Sequence, residues 1–229
     1  MTASNSPTAP DSHSAPHPVP RAIIFDFGKV LSELPDVDAH TALVATAGVP
    51  DEVFEQHYWA HRHDYDAGAL NGQSYWQKVA HGAGFDLTPE RLTAFHHHDS
   101  LMWANLNAPM LAWAAALQAA GIKTAILSNM GEVNLAYMRK NFDWLSGFTH
   151  LTWSSEQRTA KPDPAIYQHT LDRLGVQPEE AIFVDDIPAN IAAARELGID
   201  GILFTGIAQL RRDLLVRHLD GKIPLPEVD

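Results

Sequence analysis

An α/β fold, a mostly parallel sheet with an all-helical insertion after its first strand, is predicted by two features of the chain. Short apolar runs alternate with helical stretches over most of its 229 residues. Between residues 33 and 105 the alternation stops, and only helical patterns remain.

The first element is the run 22–27, AIIFDF, which is apolar and followed by Gly28, as in a buried strand that ends at a turn. The same form recurs at 122–127, 181–184 and 201–204, and more weakly at 148–153. Helices are expected at 109–120, with Gly121 as the C-cap, and at 163–174, with Pro164 in the first turn and Gly175 at the end. Two more are expected at 188–197, stopping at Gly198, and at 209–219. Inside the insertion, helical patterns cover 38–47, 51–63, 73–81 and 88–103. The expected organisation is a disordered extension at 1–20, a core from 21–32 and 106–222, the insertion at 33–105 and a tail at 223–229. In parallel sheets of this kind, functional residues gather at the carboxyl ends of the strands.

Composition narrows the function classes. Hydrophobic residues make up 45% of the chain, enough for a packed interior. The balance of 16 basic against 28 acidic residues gives a net charge of −12 and disfavours nucleic acid and anionic membrane as partners. An anionic substrate would need local cations to reverse that field. There is no cysteine, which excludes disulfides, thiolate chemistry and cysteine-ligated zinc. No apolar run approaches the length of a membrane span. Residues 1–20 have neither the basic start nor the apolar stretch of a secretory signal, so a soluble, cytoplasmic protein is the default expectation.

Four segments fall where the sheet puts its active edge. They are FDFGKVL with Asp26 closing the first strand, ILSN with Ser128 and Asn129, AKPDP with Lys161 before a helix, and VDDIPAN with Asp185 and Asp186. Each alone has an ordinary explanation as a helix cap, a turn or helix-start punctuation. Together they suit one chemistry. The Asp26 carboxylate can attack phosphorus to form an aspartyl-phosphate that water then hydrolyses. Carboxylates from two strand ends can hold Mg2+, a hard cation that prefers oxygen ligands. Ser128 can hydrogen-bond a phosphoryl oxygen, helped by amides at the start of the following helix. Lys161 can neutralise phosphoryl charge and pin the carboxylates.

In these segments, and in their order and spacing, the chain resembles the haloacid dehalogenase-like superfamily. The match extends through VDDIPANIAAARELGI and covers about residues 21–206. The resemblance implies a Rossmann-like core with a helical cap, Mg2+ as cofactor and a small phosphorylated metabolite as substrate. It implies Asp26 as nucleophile and metal ligand, Gly28 as a carbonyl ligand, and Asp186 as a metal ligand supported by Asp185. Ser128, Asn129 and Lys161 would contact the phosphate.

One residue departs from the family pattern. Most phosphatases of the superfamily carry a second Asp two positions after the nucleophile, where this chain has Gly28. The sequence is similar to a subgroup reading FD(F/L)G(G/N)V(L/I), which includes sugar 1-phosphate phosphatases and relatives of the epoxide-hydrolase amino-terminal domain. Lys29 departs from the Gly or Asn common in that subgroup and either adds positive charge at the phosphate mouth or faces solvent. Two alternatives stay open: a metal-independent 2-haloacid dehalogenase, which needs no second Asp, and a non-catalytic binding or regulatory module. The run His96-His97-His98 cannot easily ligate one ion, because consecutive helical residues diverge. His57 and His61 have metal-pair spacing but lack a third ligand.

Overall fold

The structure, a computed structural model, describes residues 19–228. The expected disordered extension therefore lies, for residues 1–18, outside the described residues. Five parallel strands form one sheet in the order β3-β2-β1-β4-β5: β1 Ala22–Phe25, β2 Lys123–Ser128, β3 His150–Trp153, β4 Ala181–Asp185 and β5 Asp200–Leu203. All five expected strands form, including the weak one, each within a few residues of its sequence position.

Successive residues of a strand face opposite sides of the sheet, and the apolar runs supply a core on each. On one side Ile23, Phe25, Ile126, Ile182 and Val184 pack against helices α6, Ala108–Ala119, and α11, Ile207–Val216. On the other, Ala22, Ile24, Ala125, Leu127 and Phe183 pack against α9, Pro164–Leu174, and α10, Pro188–Glu196. Continuous apolar strands are what a sheet covered on both faces requires.

The helix punctuation acts as its chemistry dictates. Asp163 accepts a hydrogen bond from Ala165 N at 2.9 Å, capping a helix that opens on Pro164. Gly175 ends that helix with φ 63°, in the left-handed region that glycine enters freely. Helix α7, Glu132–Asn141, follows β2, where Ser128-Asn129 suggested a cap but periodicity gave no bounds, and a single turn, α8, Ser154–Gln157, follows β3. Its apolar anchor is narrow, with Leu135 and Met138 the buried hydrophobics. The carboxyl-terminal segment is docked against the core. Ile223 is buried, Trp113 Nε1 donates to Pro224 O at 2.8 Å, and Arg211 Nη1 donates to Pro226 O at 2.7 Å.

Between β1 and β2 the chain forms the helical cap: α1 Val37–Ala47, α2 Asp51–Ala60, α3 Arg62–Asp66, α4 Gly72–Ala83 and α5 Pro89–Met102. It has its own aromatic cluster, in which Phe54, Tyr58, Tyr75, Trp76 and Phe95 are buried. The helix expected at 51–63 is broken at His61, where φ −123° and ψ 8° leave the helical region. Arg62 then turns inward, so that Nε bonds Asp66 at 3.0 Å and Nη1 bonds Asp99 at 2.9 Å. The two strands of chain joining cap and core run side by side. Glu33 N bonds Asn105 O at 2.8 Å, and Asn107 N bonds Leu31 O at 2.9 Å. Among the described residues no helix is long and apolar enough to cross a membrane.

Candidate active site

Strand register builds the site. Phe25 pairs with Ile126 on one side and Val184 on the other, so the residues just beyond them in each strand emerge on one edge. Asp26 follows β1, Ser128 ends β2 and Asp185 ends β4, the arrangement expected at the carboxyl edge of a parallel sheet. Carboxylate oxygens of Asp26, Asp185 and Asp186 lie within 4.8 Å of one another. Lys161 stands among them, with Nζ 2.8 Å from Asp26 Oδ1 and 2.7 Å from Asp185 Oδ2.

The two oxygens of Asp26 have different surroundings. Oδ1 accepts from Phe27 N at 2.7 Å and from Lys161, whereas Oδ2 accepts no hydrogen bond among the described residues. Asp185 is fully buried and engaged on both oxygens. Oδ1 accepts from Ile187 N at 2.7 Å, Oδ2 accepts from Lys161, and Asn190 Nδ2 reaches both. Asp186 is freer, and among the described residues its Oδ2 has only Lys29 Nζ as an ion-pair partner, at 3.4 Å.

Electrostatics follow from this crowding. Burial pushes the Asp26 carboxyl up to about 7; Lys161 opposes that shift, while Asp185 and Asp186 add to it. Burial also works against the Lys161 charge, but Asp26 and Asp185 outweigh it and raise its pKa above the usual lysine value. The lysine therefore stays protonated, while the carboxylates are under-compensated.

Asn129, expected at the substrate, also makes a structural pair of hydrogen bonds. Its Nδ2 donates to Lys161 O at 2.9 Å and its Oδ1 accepts from Lys161 N at 2.8 Å, so the amide holds the lysine's backbone while Asn129 also lines the cavity. The help expected from amides at the start of α7 is also largely committed elsewhere. Met130 N donates to Ser154 Oγ at 2.8 Å, Val133 N to Tyr65 Oη at 3.3 Å and Gly131 N to Asp66. Ser128, by contrast, lines the cavity and its hydroxyl makes no hydrogen bond among the described residues.

Above the sheet edge lies a cavity of about 240 Å³ closed by both parts of the chain. Asp26, Gly28, Lys29, Ser128, Lys161 and Asp186 form its floor, and Trp59, Arg62, Asp66 and Trp103 reach it from the cap side. The sequence does not single out these aromatics as cavity-lining, nor does it point to Arg62, Asp66 or Asn190. The Arg62–Asp66 pair at i, i+4 was a readable signal of a helical ion pair, though not of its position. The histidines play no part here. His57 packs against Gly82, and neither His57 nor the 96–98 run belongs to a ligand cluster among the described residues. A cap-surface cluster of His40, Asp51 and Glu55, with His40 Nε2 2.6 Å from Glu55 Oε1, was not anticipated.

Cap and core meet tightly at the start of α7. Gly72 N donates to Glu132 Oε1 at 2.5 Å, Ser154 Oγ donates to Asp66 O at 2.5 Å, and a Cβ on Gly131 would overlap the Tyr65 ring. Gly131→Ala should force the Tyr65 ring off the core and destabilise the protein by about 1–3 kcal/mol in urea denaturation. An unchanged midpoint would mean that the cap is not seated on Gly131.

The chain is similar in sequence and in fold to known proteins. The chain is 29% identical over 221 residues to bifunctional epoxide hydrolase 2 of Sus scrofa, covering 85% of this chain and 38% of that protein, so it spans well under half of the relative's length. It is 26% identical over 200 residues to a phosphoglycolate phosphatase of Rhodospirillum rubrum, covering 82% and 80% of the two chains. Its fold is similar to that of a HAD family enzyme from Bacteroides thetaiotaomicron solved with magnesium and inorganic phosphate, with TM-score 0.65 and 18% identity over 80% of this chain and 93% of that one. It is also similar to L-2-haloacid dehalogenase from Xanthobacter autotrophicus, with TM-score 0.63 and 18% identity over 91% and 90%. The family model for haloacid dehalogenase-like hydrolases matches residues 20–198, a span that contains all four segments, and the chain belongs to that family.

Proposed function

We propose that the protein is a Mg2+-dependent phosphatase of small phosphate monoesters that works through a phosphoryl group held transiently on Asp26. The convergence of Asp26, Asp185 and Asp186 within 4.8 Å, beside Lys161, carries this reading. The cluster offers only carboxylate oxygens, the donor set a hard divalent cation prefers. Its carboxylates outnumber its one buried lysine by two negative charges, which a dication would offset. Asp186 has an oxygen to spare for it, Asp26 would share its carboxylate between the ion and the substrate, and the Gly28 carbonyl would be a further ligand, while Asp185 holds Lys161 from behind. When bound, the ion supplies Lewis-acid polarisation of the phosphoryl oxygens.

The chain's own residues account for the remaining steps. Asp26 Oδ2 attacks phosphorus, the bond to the leaving oxygen breaks, and that oxygen takes a proton from water. Water then attacks phosphorus, the Asp26–phosphorus bond breaks, and inorganic phosphate leaves with the carboxylate restored. Lys161 fixes Oδ1, which turns the free oxygen toward substrate, and Ser128 donates to a phosphoryl oxygen.

Release of phosphate from a panel of esters, with Mg2+ and with EDTA, tests the assignment, with 2-chloropropionate as contrast. Mg2+-dependent phosphate release is expected. Metal-independent chloride release with no phosphate release would favour the dehalogenase reading, which Gly28 permits but the acidic Asp186 beside a carboxylate substrate opposes.

Gly28 has φ −61° and ψ 128°, and a Cβ there would meet Trp103 at 3.6 Å, an ordinary contact. The backbone thus admits a side chain, and the missing acid is a choice of sequence rather than a demand of the fold. Gly28→Asp should speed hydrolysis of alkyl phosphates by about 10–100-fold, since general acid help is worth that order, and leave p-nitrophenyl phosphate little changed. Equal gains on both would contradict a native preference for good leaving groups such as anomeric or acyl phosphates.

The Asp26 carboxyl also sets a pH dependence. Its folded value of about 7 exceeds the ordinary 3.8, so the stability tied to its proton is complete below 3.8 and is lost as pH rises through 7. The thermal shift produced by Mg2+ should therefore be small at low pH and grow toward pH 8. A shift independent of pH would detach the ion from Asp26.

A further inference from the structure

We propose that Lys29 is a tethered cation of the active site: it holds Asp186 while the divalent ion is absent and passes to the phosphate oxygens when the ion displaces it. This rests on the phosphatase reading above.

The observations are local and independent of one another. Lys29 Nζ lies 3.4 Å from Asp186 Oδ2, and Asp186 has no other ion-pair partner among the described residues. Both residues line the cavity that holds Asp26 and Ser128. The Lys29 backbone sits at φ 57° and ψ 6°, in the left-handed region that residues with a Cβ seldom enter. Ser32 holds this turn, with Lys29 N donating to Ser32 Oγ at 3.1 Å and Ser32 N donating to Phe27 O at 2.8 Å. Strain of this kind persists where the surroundings fix it, and it concentrates at functional sites. Gly28 contributes no side chain, so of these two neighbours only Lys29 brings a polar group to the cavity.

Charge counting gives the exchange its direction. Three carboxylates face Lys161, and Lys29 offsets one of the two unbalanced negative charges. A divalent ion at Asp26 and Asp186 offsets both, and the ammonium is then next to a like charge that repels it. An incoming phosphate dianion restores a partner. The lysine stem is long and flexible, carries three donors, and is 43% exposed, so it can swing between these positions without backbone movement.

Calorimetric titration of Mg2+ into the full chain, followed by inorganic phosphate at saturating Mg2+, tests this with Lys29→Met and Lys29→Gly. Both variants should bind Mg2+ about two- to five-fold more tightly, the scale of one exposed ion pair removed. Both should bind phosphate about ten-fold more weakly, the scale of one charge-assisted hydrogen bond lost. Structural damage would weaken both ligands together, so opposite signs are the signature. Unchanged Mg2+ affinity or unchanged phosphate affinity in the variants overturns the role of Lys29 alone. Failure of the unaltered chain to bind Mg2+ overturns the phosphatase reading and this proposal with it.

Discussion

Asp26→Asn should lower kcat/KM on any phosphate ester by at least about 10⁴-fold, because the amide cannot form the phosphorylated intermediate and nucleophile removal costs that order elsewhere. The same substitution should leave the ion-free protein as stable as before, or more so. Burial already disfavours the Asp26 charge, with its carboxyl pushed up to about 7, and Asn removes a like charge beside Asp185 and Asp186. Activity and stability thus move in opposite directions. Measured together by steady-state kinetics and urea denaturation, they separate loss of chemistry from loss of fold. An Asn variant that retains a tenth of the activity would remove Asp26 as nucleophile.

Lys161→Ala should damage both properties. Nζ is the cation 2.8 Å from Asp26 and 2.7 Å from Asp185, and Asp185 is fully buried. Removing one partner of a buried ion pair leaves an uncompensated charge and typically costs about 3–5 kcal/mol. Urea denaturation of the ion-free variant should show a loss of that size, and saturating Mg2+ should recover part of it by offsetting the same carboxylates. Asn129 would lose nothing directly, because it grips the Lys161 backbone rather than its side chain. A variant within 1 kcal/mol of the parent would mean that the carboxylates are balanced by something other than this lysine.

The sheet was legible because its strands are covered on both faces, so 22–27, 122–127 and 181–184 read as continuous apolar runs with no competing helical period. The floor of the site followed from them, since a polar residue just past such a run has nowhere to go but the carboxyl edge. What the sequence hid were partnerships made across the chain. Asn129 reads as a phosphate contact beside Ser128, and nothing local shows that its amide also grips the backbone of Lys161, 32 residues away. Asn190 carries no local signal at all, because its role depends on the first turn of α10 folding back onto Asp185. The cap side of the cavity was the least readable. Arg62 reaches the cavity wall only because the helix predicted across it breaks at His61, a break with no glycine or proline to announce it. The left-handed turn at Lys29 has no signal in lysine itself, and only the Gly or Asn common at this position in similar sequences hints at it.

The most direct measurement is acid quenching of the enzyme during turnover of p-nitrophenyl phosphate, followed by proteolysis and mass spectrometry of the peptide that carries Asp26. A phosphoryl group on Asp26, formed with Mg2+ and absent with EDTA or in the Asn variant, is the predicted result. Steady turnover of the ester under conditions that would trap an acyl phosphate, with Asp26 unmodified throughout, would contradict the account.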